Sequence, residues 1–249
     1  MKPQLLKIST PSDYSFNIFD QAADYFPTPW HYHPEVEIVF MQKSVGEKYI
    51  GSSITDFEPS DLAMIGSYLP HYYKNTPDYY KENSGLRAKS LVIHFNEDFL
   101  GSSFLEAPEN HQIKQLLDNC KRGLQFGKRF ADELEDELVG LSEKEGMERL
   151  IGLLSILNKM SNTKDFKFLT SDPIYLNNHV DSDRIKKVFE YVMQNFQQDI
   201  KLNEIAGLAS MSESAFSRYF KKRTRKTFST FLTEIRIEHA CKLLQNDRH

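Results

Sequence analysis

A small group of residues in the first third of the chain can together bind a divalent metal ion. His31, His33, Glu35 and Glu37 are spaced two residues apart. Because side chains alternate between the two faces of a β-strand, these residues can share one face. His71, on a later strand, can complete a set of imidazole and carboxylate ligands that suits Zn, Fe, Mn or Ni. The sequence therefore predicts a candidate metal site formed by His31, His33, Glu37 and His71.

The same residues also fit a second interpretation, a polar pocket for a small-molecule effector. Imidazole and carboxylate groups without a metal can form hydrogen bonds to a ligand, and barrel interiors are common ligand sites. Nearby aromatic residues offer stacking surface for a sugar-like or aromatic effector, although buried packing explains them equally well; they are Trp30, Tyr32, Tyr49 and Tyr72. The predicted effector-binding set is Trp30, His31, His33, Glu37 and His71.

The elements that must position these residues have the pattern of short β-strands. The runs VEIVFM, KYIGSSI, DLAMIG and SLVIHF alternate or are apolar, and Pro, Gly, Ser and Asp separate them. Short runs at regular spacing with turn residues between them are typical of an all-β barrel or sandwich. We therefore expect residues 1–105 to form a β-barrel that binds the effector.

A helical segment is predicted over residues 106–162. Leu150, Leu153, Leu154 and Leu157 follow the i, i+3, i+4, i+7 spacing of an apolar helix stripe. This stripe fits either a dimer contact or packing against the chain's own barrel, and the sequence leaves both open. Residues 163–181 are rich in Asn, Asp and Ser, which predicts a linker before a third unit at 182–249.

The third unit carries a second set of residues with chemical potential, a polar and basic helix face. Leu202, Ile205, Ala206 and Ala209 have helical spacing, and a second helix follows a tight turn, with Ser212 placed as its N-cap. A short polar helix supported by another helix is what the DNA major groove admits. The candidate DNA-binding residues are Ser212, Ser214, Ser217, Arg218, Lys221 and Lys222.

Charge is divided unevenly along the chain, in a way that favours this interpretation over an ordinary solvated helix face. Residues 183–249 contain 13 Lys and Arg against 8 Asp and Glu, a net charge of +5, while the whole chain carries −4. A basic terminal unit on an acidic body suits local contact with DNA phosphates.

The C-terminal residues resemble the first helix-turn-helix unit of AraC/XylS-type transcriptional regulators. The matching positions are Leu202, Ile205, Ala206, Met211, Ser212, Phe216, Ser217, Arg218, Phe220, Lys221, Phe228, Arg236, Ile237, Ala240, Leu243 and Leu244. Two positions depart from the pattern, because Ser210 and Arg225 stand where the family often has Gly. The resemblance implies a DNA-binding domain of two such units joined by a linker helix. Only the first unit and the linker helix are expected within this chain, and with them weak DNA binding.

The N-terminal residues resemble the two cupin motifs. The first is His-x-His with Glu four residues later, at His31, His33 and Glu37. The second is the Pro59-Ser60-Asp61 turn followed by His71 and Asn75, in which Ser60 replaces the usual Gly. Sensor domains of AraC-type regulators are commonly such barrels. The two resemblances together imply an α+β protein: a cupin-like barrel (double-stranded β-helix), a helical middle segment and a truncated all-α helix-turn-helix domain.

Length and composition limit the number of domains and the class of protein. A length of 249 residues allows about two domains, and 40% hydrophobic residues suffice for packed cores. The N-terminus has no apolar segment of signal-peptide length, and no stretch approaches about 20 apolar residues. We therefore expect a soluble cytoplasmic protein, with no disulfide between the two cysteines, Cys120 and Cys241.

The sequence as a whole predicts a bacterial one-component transcription factor that senses a small molecule and binds DNA. The expected partners are DNA, the effector and a second copy of the chain, with RNA polymerase as an additional candidate. A metal-dependent cupin enzyme, such as an isomerase or dioxygenase, is the alternative from another class. A third interpretation is a sensor that no longer binds DNA. No nucleophile with its base is evident, so no catalytic residue is predicted.

Overall fold

A computed structural model describes most of the chain. The described residues are 4–6, 8, 13–101, 103–171, 184, 187–188, 191–192, 194–224 and 227–246. Within them lie eleven strands: β1 (Gln4–Leu5), β2 (Phe16–Ala23), β3 (His31–Tyr32), β4 (Val36–Lys43), β5 (Gly46–Ile50), β6 (Ser53–Phe57), β7 (Asp61–Ile65), β8 (His71–Asn75), β9 (Ala88–Phe95), β10 (Leu124–Phe126) and β11 (Phe166–Phe168).

The strands form two sheets, as the predicted barrel requires. One sheet has the order β1-β3-β8-β5-β6, and the other has the order β11-β10-β7-β4-β9-β2. Strands β1 and β3 are parallel, and the remaining pairs are antiparallel. All four runs identified in the sequence lie in strands: VEIVFM in β4, KYIGSSI in β5 and β6, DLAMIG in β7, and SLVIHF in β9. The predicted α+β class with a cupin-like barrel is confirmed.

Strand β4 shows how alternation separates two cores. Ile38 and Phe40 belong to an apolar cluster that continues into the helices after the barrel. Val39 and Met41 belong to a different cluster, with inward-facing residues such as Ala63 and Val92. Because β4 is buried on both faces, residues 36–41 are apolar at every position except Glu37 and do not alternate with polar residues. The odd-numbered residues of β4 face the barrel interior, and Glu37 is one of them.

Three helices cover the outer face of the six-stranded sheet: α1 (His111–Cys120), α2 (Lys128–Gly140) and α3 (Gly146–Asn162). Leu153 and Leu157 of α3 are buried in the cluster beneath this sheet, and Leu150 is partly buried against it. The leucine stripe thus packs on the chain's own barrel. The same helix also exposes two large apolar side chains, because Met147 is 67% exposed and Ile151 is 58% exposed.

Two short strands correct the prediction for this region. The segment 106–162 was expected to lack strands, yet β10 pairs with β7 between α1 and α2. The predicted linker begins at 163, but β11 pairs with β10 and extends the six-stranded sheet. Three-residue strands give almost no periodic signal, since their pairing is decided by the tertiary environment. The rest of the predicted linker, from 172 to 181, lies outside the described residues.

The C-terminal helices follow the predicted order. They are α4 (Leu202–Leu208), α5 (Glu213–Thr224) and α6 (Phe228–Asn246). Helical positions also precede α4, and among them Val188 and Val192 are fully buried; Ile185, Phe189 and Met193, predicted for the same helix, lie outside the described residues. Arg236 of α6 donates hydrogen bonds to the carbonyl oxygens of Phe196 and Gln198, both at 2.7 Å. These two hydrogen bonds hold α6 against the segment before α4.

The helical unit also touches the barrel, because α6 contacts β6. Phe57 of β6 belongs to the same buried apolar cluster as Phe231 and Ile235 of α6. Among the described residues, no helix is long and apolar enough to cross a membrane.

Candidate functional site

The structure brings the predicted metal-site residues together at one end of the barrel. His31 and His71 are partners across β3 and β8, while His33 and Glu37 lie just before and on β4. One candidate ligand atom from each of the four lies within 4.8 Å of the others, and all four residues are buried. We refer to these four residues, together with His94, as the histidine cluster.

In three imidazoles of the cluster, the Nδ1 atom, on the side of the ring away from Glu37, donates a hydrogen bond to a backbone carbonyl oxygen. These hydrogen bonds run from Nδ1 of His31 to Pro29 (2.9 Å), of His33 to Glu35 (3.0 Å) and of His71 to Leu69 (2.8 Å). A carbonyl can only accept, so each Nδ1 carries the proton. Each Nε2 of a neutral ring then carries a lone pair, which is the arrangement that backbone carbonyls typically impose on metal-binding histidines.

Glu37 is the centre of the cluster. Its Oε2 lies 2.9 Å from Nε2 of His33, 3.3 Å from Nε2 of His71 and 2.6 Å from Nε2 of His94. With neutral rings, His33 and His71 would direct lone pairs at a carboxylate oxygen that is also an acceptor. A positive charge between these atoms, as a proton or a metal ion, removes that repulsion. The donor set of this centre thus fits a divalent cation.

Burial and mutual charge set the protonation of the cluster. Burial raises the pKa of Glu37, but the nearby His71 and His94 and the hydrogen bonds from His33 and His71 outweigh it and hold the pKa well below its usual value. Burial, reinforced by His71, lowers the pKa of His31 to about 3. Glu37 is therefore a carboxylate and His31 a neutral imidazole at neutral pH, and both are states in which they can bind a metal.

His94 is a member of the cluster that the sequence analysis missed. It lies on β9 directly across from Glu37 of β4. Its Nδ1 is buried without a hydrogen-bond partner among the described residues. The available signal was the alternation of Ser90, Val92 and His94, which places a histidine on the inward face of an apolar strand. No spacing motif connects His94 to the other histidines.

Glu35 and Trp30 lie elsewhere than the sequence suggested. Glu35 shares a strand face with His31, His33 and Glu37 only if Pro34 leaves the strand continuous, and it does not, because β3 ends at Tyr32 and β4 begins at Val36. The Glu35 carboxylate instead lies 3.6 Å from Nδ1 of His33, on the side of that ring away from Glu37. Trp30 packs edge-on against Tyr72, with ring centroids 6.3 Å apart, and likewise against Tyr49. Tyr72 points away from the barrel interior, since its neighbour His71 points inward. Trp30 therefore contributes to an outer aromatic group.

The cavity next to the histidine cluster is small, about 70 Å³. Its lining includes His31, Glu37, His94, Tyr73 and Phe26. One water occupies about 30 Å³ in the liquid, so this space suits an ion with a few small ligands.

The predicted DNA-binding residues lie on the exposed side of the second helix of a helix-turn-helix. All six are exposed: Ser212, Ser214, Ser217, Arg218, Lys221 and Lys222. Phe216 and Phe220, on the opposite side of α5, are fully buried. Ser212 Oγ accepts a hydrogen bond from the backbone N–H of Ala215 at 3.4 Å, which agrees with its predicted N-cap position.

The cations on this face are available for an external partner. Within the described part of the chain, Arg218, Lys221 and Lys222 form no ion pair, although surface lysines elsewhere do, such as Lys159 with Glu137. A row of unpaired cations beside small hydroxyl side chains is chemically suited to phosphate oxygens and base edges.

Comparison with known proteins supports a regulatory role. No protein-family model matches the sequence. The HTH-type transcriptional regulator YbfI of Bacillus subtilis (strain 168) is 23% identical over 221 residues, which cover 87% of this chain and 74% of YbfI. The HTH-type transcriptional activator RhaR of Mannheimia succiniciproducens is 21% identical over 222 residues, covering 88% of this chain and 74% of RhaR. These matches run through both the barrel and the helical unit.

The chain is thus similar, over most of its length, to HTH-type transcriptional regulators. A solved structure of ToxT from Vibrio cholerae, bound to (E)-4-(8-methylnaphthalen-1-yl)but-3-enoic acid, aligns with 89% of this chain and 100% of the ToxT chain. That alignment has a TM-score of 0.41 and 13% sequence identity.

Proposed function

We propose that the regulator senses a divalent metal ion in its histidine cluster, and that α5 is the helix that enters the DNA major groove. His31, His33, His71 and Glu37 are the ligands in this proposal, and His94 holds the Glu37 carboxylate in place. When bound, such an ion supplies a concentrated positive charge that can also attract an oxygen or nitrogen atom of a small effector.

The observation that carries the proposal is the orientation of the imidazoles. Three Nδ1–H groups donate to backbone carbonyls, so the Nε2 atoms of His31, His33 and His71 offer lone pairs beside one buried carboxylate when these rings are neutral. A pocket for a hydrogen-bonding organic effector would gain from donors and acceptors of both kinds, whereas these three neutral rings and the carboxylate present acceptors only. The small adjoining cavity points the same way, because it leaves little room for a large ligand.

The DNA interface in the proposal consists of the exposed face of α5. Arg218 reads a base edge, while Lys221 and Lys222 contact phosphates and the serines provide shorter hydrogen bonds near the start of the helix. Phe216 and Phe220 lie on the opposite side of this helix, where they are fully buried and hold it against the rest of the helical unit. This support matters because a recognition helix must be presented in a fixed orientation.

The metal acts in this proposal by shifting a conformational equilibrium. An effector can change DNA binding only to the extent that it binds one arrangement of barrel and helical unit more tightly than the other. The contact between β6 and α6 provides the physical connection between the two parts. The exposed Met147 and Ile151 provide a surface for a homodimer, and RNA polymerase is a further partner of a DNA-bound dimer.

The proposal makes the histidine cluster a sensor and not an active site. The curated relatives are regulators of transcription, and a metal centre that reports ion availability requires no substrate access. Turnover of a small substrate that depends on Glu37 would contradict this part of the proposal.

The test measures bound metal and DNA binding on the same samples. Metal content of the purified protein is determined by mass spectrometry, and promoter DNA from beside the encoding gene is compared with scrambled DNA over a salt series. A form extended by a second helix-turn-helix unit is measured in parallel. We expect about one divalent ion per chain, loss of that ion in Glu37→Gln, and a change in specific DNA affinity on chelation.

The controls separate the two halves of the proposal. Glu109→Gln removes an exposed carboxylate far along the sequence from the cluster and should leave the metal content unchanged. Specific DNA binding without any bound ion would refute the metal sensor and leave the DNA interface standing. Equal binding to promoter and scrambled DNA, with a steep salt dependence, would show that the basic face is only electrostatic.

A further inference from the structure

Glu35 is a buried carboxylate beside the histidine cluster that has no role in the proposed metal site. The residue is only 8% exposed. Its Oε2 atom is buried without a hydrogen-bond partner in the part of the chain that the structure describes. Because removing a carboxylate from water without compensation is costly, a positive charge is expected close to it.

The group that faces this carboxylate is the imidazole of His33. Oε2 of Glu35 lies 3.6 Å from Nδ1 of His33, and the same Nδ1 donates a hydrogen bond to the carbonyl oxygen of Glu35 at 3.0 Å. On the opposite side of the ring, Nε2 of His33 lies 2.9 Å from Oε2 of Glu37. The ring therefore lies between two carboxylates, and Glu35 can influence an ion at the centre of the cluster only through His33.

The backbone holds His33 in this position. Its carbonyl oxygen accepts a hydrogen bond from the N–H of Tyr68 at 2.7 Å. Tyr68 has φ of 61°, a left-handed conformation that strains a residue with a large side chain. Strained backbone persists where the surrounding contacts enforce it, and such positions cluster at functional sites. His33 is thus fixed at its backbone by Tyr68 and at its ring by Glu35.

A carboxylate in this position strengthens an imidazole as a metal ligand. Negative charge beyond Nδ1 raises the basicity of Nε2 and stabilises the positive charge of an ion bound there. The Nδ1 atoms of His31 and His71 instead donate to neutral carbonyl groups, those of Pro29 and Leu69. His33 should therefore be the strongest of the three imidazole ligands. The ion in turn supplies the positive charge that the buried Glu35 requires.

We propose that Glu35 is a positioning residue that sets the metal affinity of the histidine cluster through His33. This proposal rests on the proposed metal site and adds to it a residue that is not a ligand. It assigns different tasks to the two carboxylates beside His33, since Glu37 binds the ion and Glu35 strengthens the ring that binds it. Loss of Glu37 should remove the site, whereas loss of Glu35 should weaken it without changing its stoichiometry.

The experiment measures Zn²⁺ binding to the full chain in competition with a chromogenic chelator. Glu35→Gln keeps the size of the side chain and removes its charge. We expect this variant to bind one Zn²⁺ at saturation, as the wild type does, with an affinity lower by about 10–100-fold. Glu35→Asp keeps the charge at a greater distance and should recover part of the loss. Glu47→Gln, which alters a half-buried carboxylate hydrogen-bonded to Tyr49, is the matched control and should leave the affinity unchanged.

Urea unfolding with and without Zn²⁺ distinguishes this role from a purely structural one. In metal-free protein, Glu35→Gln should leave the unfolding midpoint unchanged or raise it, because a neutral amide costs less to bury than an unpaired carboxylate. The rise in midpoint produced by Zn²⁺ should be smaller in Glu35→Gln than in the wild type, since weaker binding to the folded state stabilises it less. A lower midpoint in metal-free Glu35→Gln, together with an unchanged rise on adding Zn²⁺, would overturn the proposal.

The outcomes also separate this proposal from the metal site on which it rests. A wild-type chain that binds no Zn²⁺ would overturn both. Equal Zn²⁺ affinities of the wild type and Glu35→Gln would overturn the role of Glu35 and leave the metal site intact. Loss of stoichiometric binding in Glu35→Gln, as in Glu37→Gln, would identify Glu35 as a ligand and would also overturn the positioning role.

Discussion

The Nε2 atom of His94 lies 2.6 Å from Oε2 of Glu37, a closer approach than either His33 or His71 makes to the same oxygen. The two residues face each other across β4 and β9, in the middle of the six-stranded sheet. The carboxylate is therefore fixed by a residue outside the recognisable motif. This hydrogen bond orients Glu37 whether or not an ion is present.

Replacing Glu37 tests how much this carboxylate contributes to stability. In chelator-treated protein, Glu37→Gln should lower the free energy of unfolding by about 3 kcal/mol, because it removes the charge that compensates several buried imidazoles. Urea unfolding followed by circular dichroism measures the change. Glu109→Gln is the matched control and should alter the free energy of unfolding by less than about 0.5 kcal/mol. Equal stability of the two variants would mean that Glu37 is not the electrostatic centre of the cluster.

Substitutions on α5 distinguish base recognition from phosphate contact. Arg218→Ala should cost about 1–3 kcal/mol of binding to promoter DNA and relax the preference at one base position. Lys221→Ala and Lys222→Ala should weaken all sequences alike and flatten the salt dependence. Competition assays with single-base promoter variants give both quantities, with Lys164→Ala, exposed near the barrel, as the control. If Arg218→Ala changes only the salt dependence, Arg218 does not read a base.

The exposed apolar residues of α3 predict an oligomeric state. If they form a dimer contact, changing both Met147 and Ile151 to Lys should convert a dimer to a monomer in sedimentation experiments, because two desolvated charges per subunit would oppose association. The melting temperature of the subunit should change little, since both side chains are already exposed. Gln115→Lys, exposed on α1, serves as the control. A wild-type chain that sediments as a monomer would rule out the contact.

Two serines occupy left-handed backbone conformations that favour glycine. Ser60 has φ of 68° at the turn before β7, and Ser210 has φ of 55° in the turn between α4 and α5. Since this conformation strains residues with a Cβ atom, Ser60→Gly and Ser210→Gly should each raise the free energy of unfolding by about 0.5–1 kcal/mol. Ser210→Ala keeps the strain and should give no gain. A loss of stability in both glycine variants would show that the serine hydroxyls matter more than the backbone.

Tyr72, which packs with Trp30 and Tyr49 in the outer aromatic group, affects how the stability of the protein changes at alkaline pH. Burial, with smaller contributions from Tyr80 and Glu47, raises the pKa of Tyr72 to about 12 from an ordinary value of 10.0. The unfolded chain loses this proton first, so the contribution of Tyr72 to stability is complete below pH 10 and declines as the pH rises towards 12. Tyr72→Phe should therefore flatten the loss of stability between these pH values. Urea unfolding at several alkaline pH values measures the slope, and an unchanged slope would contradict the prediction.

Much of the fold follows from local sequence patterns, because the patterned runs are long enough to be specific. The strands β4, β7 and β9 each contain three or four consecutive apolar residues, and the helix stripe of α3 has clear spacing. The short strands β10 and β11 could not be predicted, since three residues carry no period and their partners are distant in sequence. The serines at positions 60 and 210 were correctly flagged as departures from glycine, and both have positive φ.

The candidate site was also predictable from the sequence only in part. The spacing of His31, His33 and Glu37 and the position of His71 were sufficient to predict that they meet, although their role in binding remains a prediction. His94 could not be inferred from spacing, because only the pairing of β4 with β9 places it beside Glu37. The buried ion pair between Lys48 and Asp61 also depends on tertiary structure, since β5 and β7 belong to different sheets. Local patterns predict elements, and only the assembled sheets define which side chains meet.

The two faces of β4 constrain how the sequence of this protein can change. Glu37 and Val39 face the barrel interior, while Ile38 and Phe40 face the helices, so chemistry and packing alternate residue by residue. Insertion or deletion of one residue in this strand would exchange the faces, burying the carboxylate under α1–α3 and filling the barrel interior with isoleucine. Such a change would abolish the histidine cluster and folding together. Changes in the chemistry of the cluster should therefore arise by substitution within β4, and length changes should be confined to the loops that flank it.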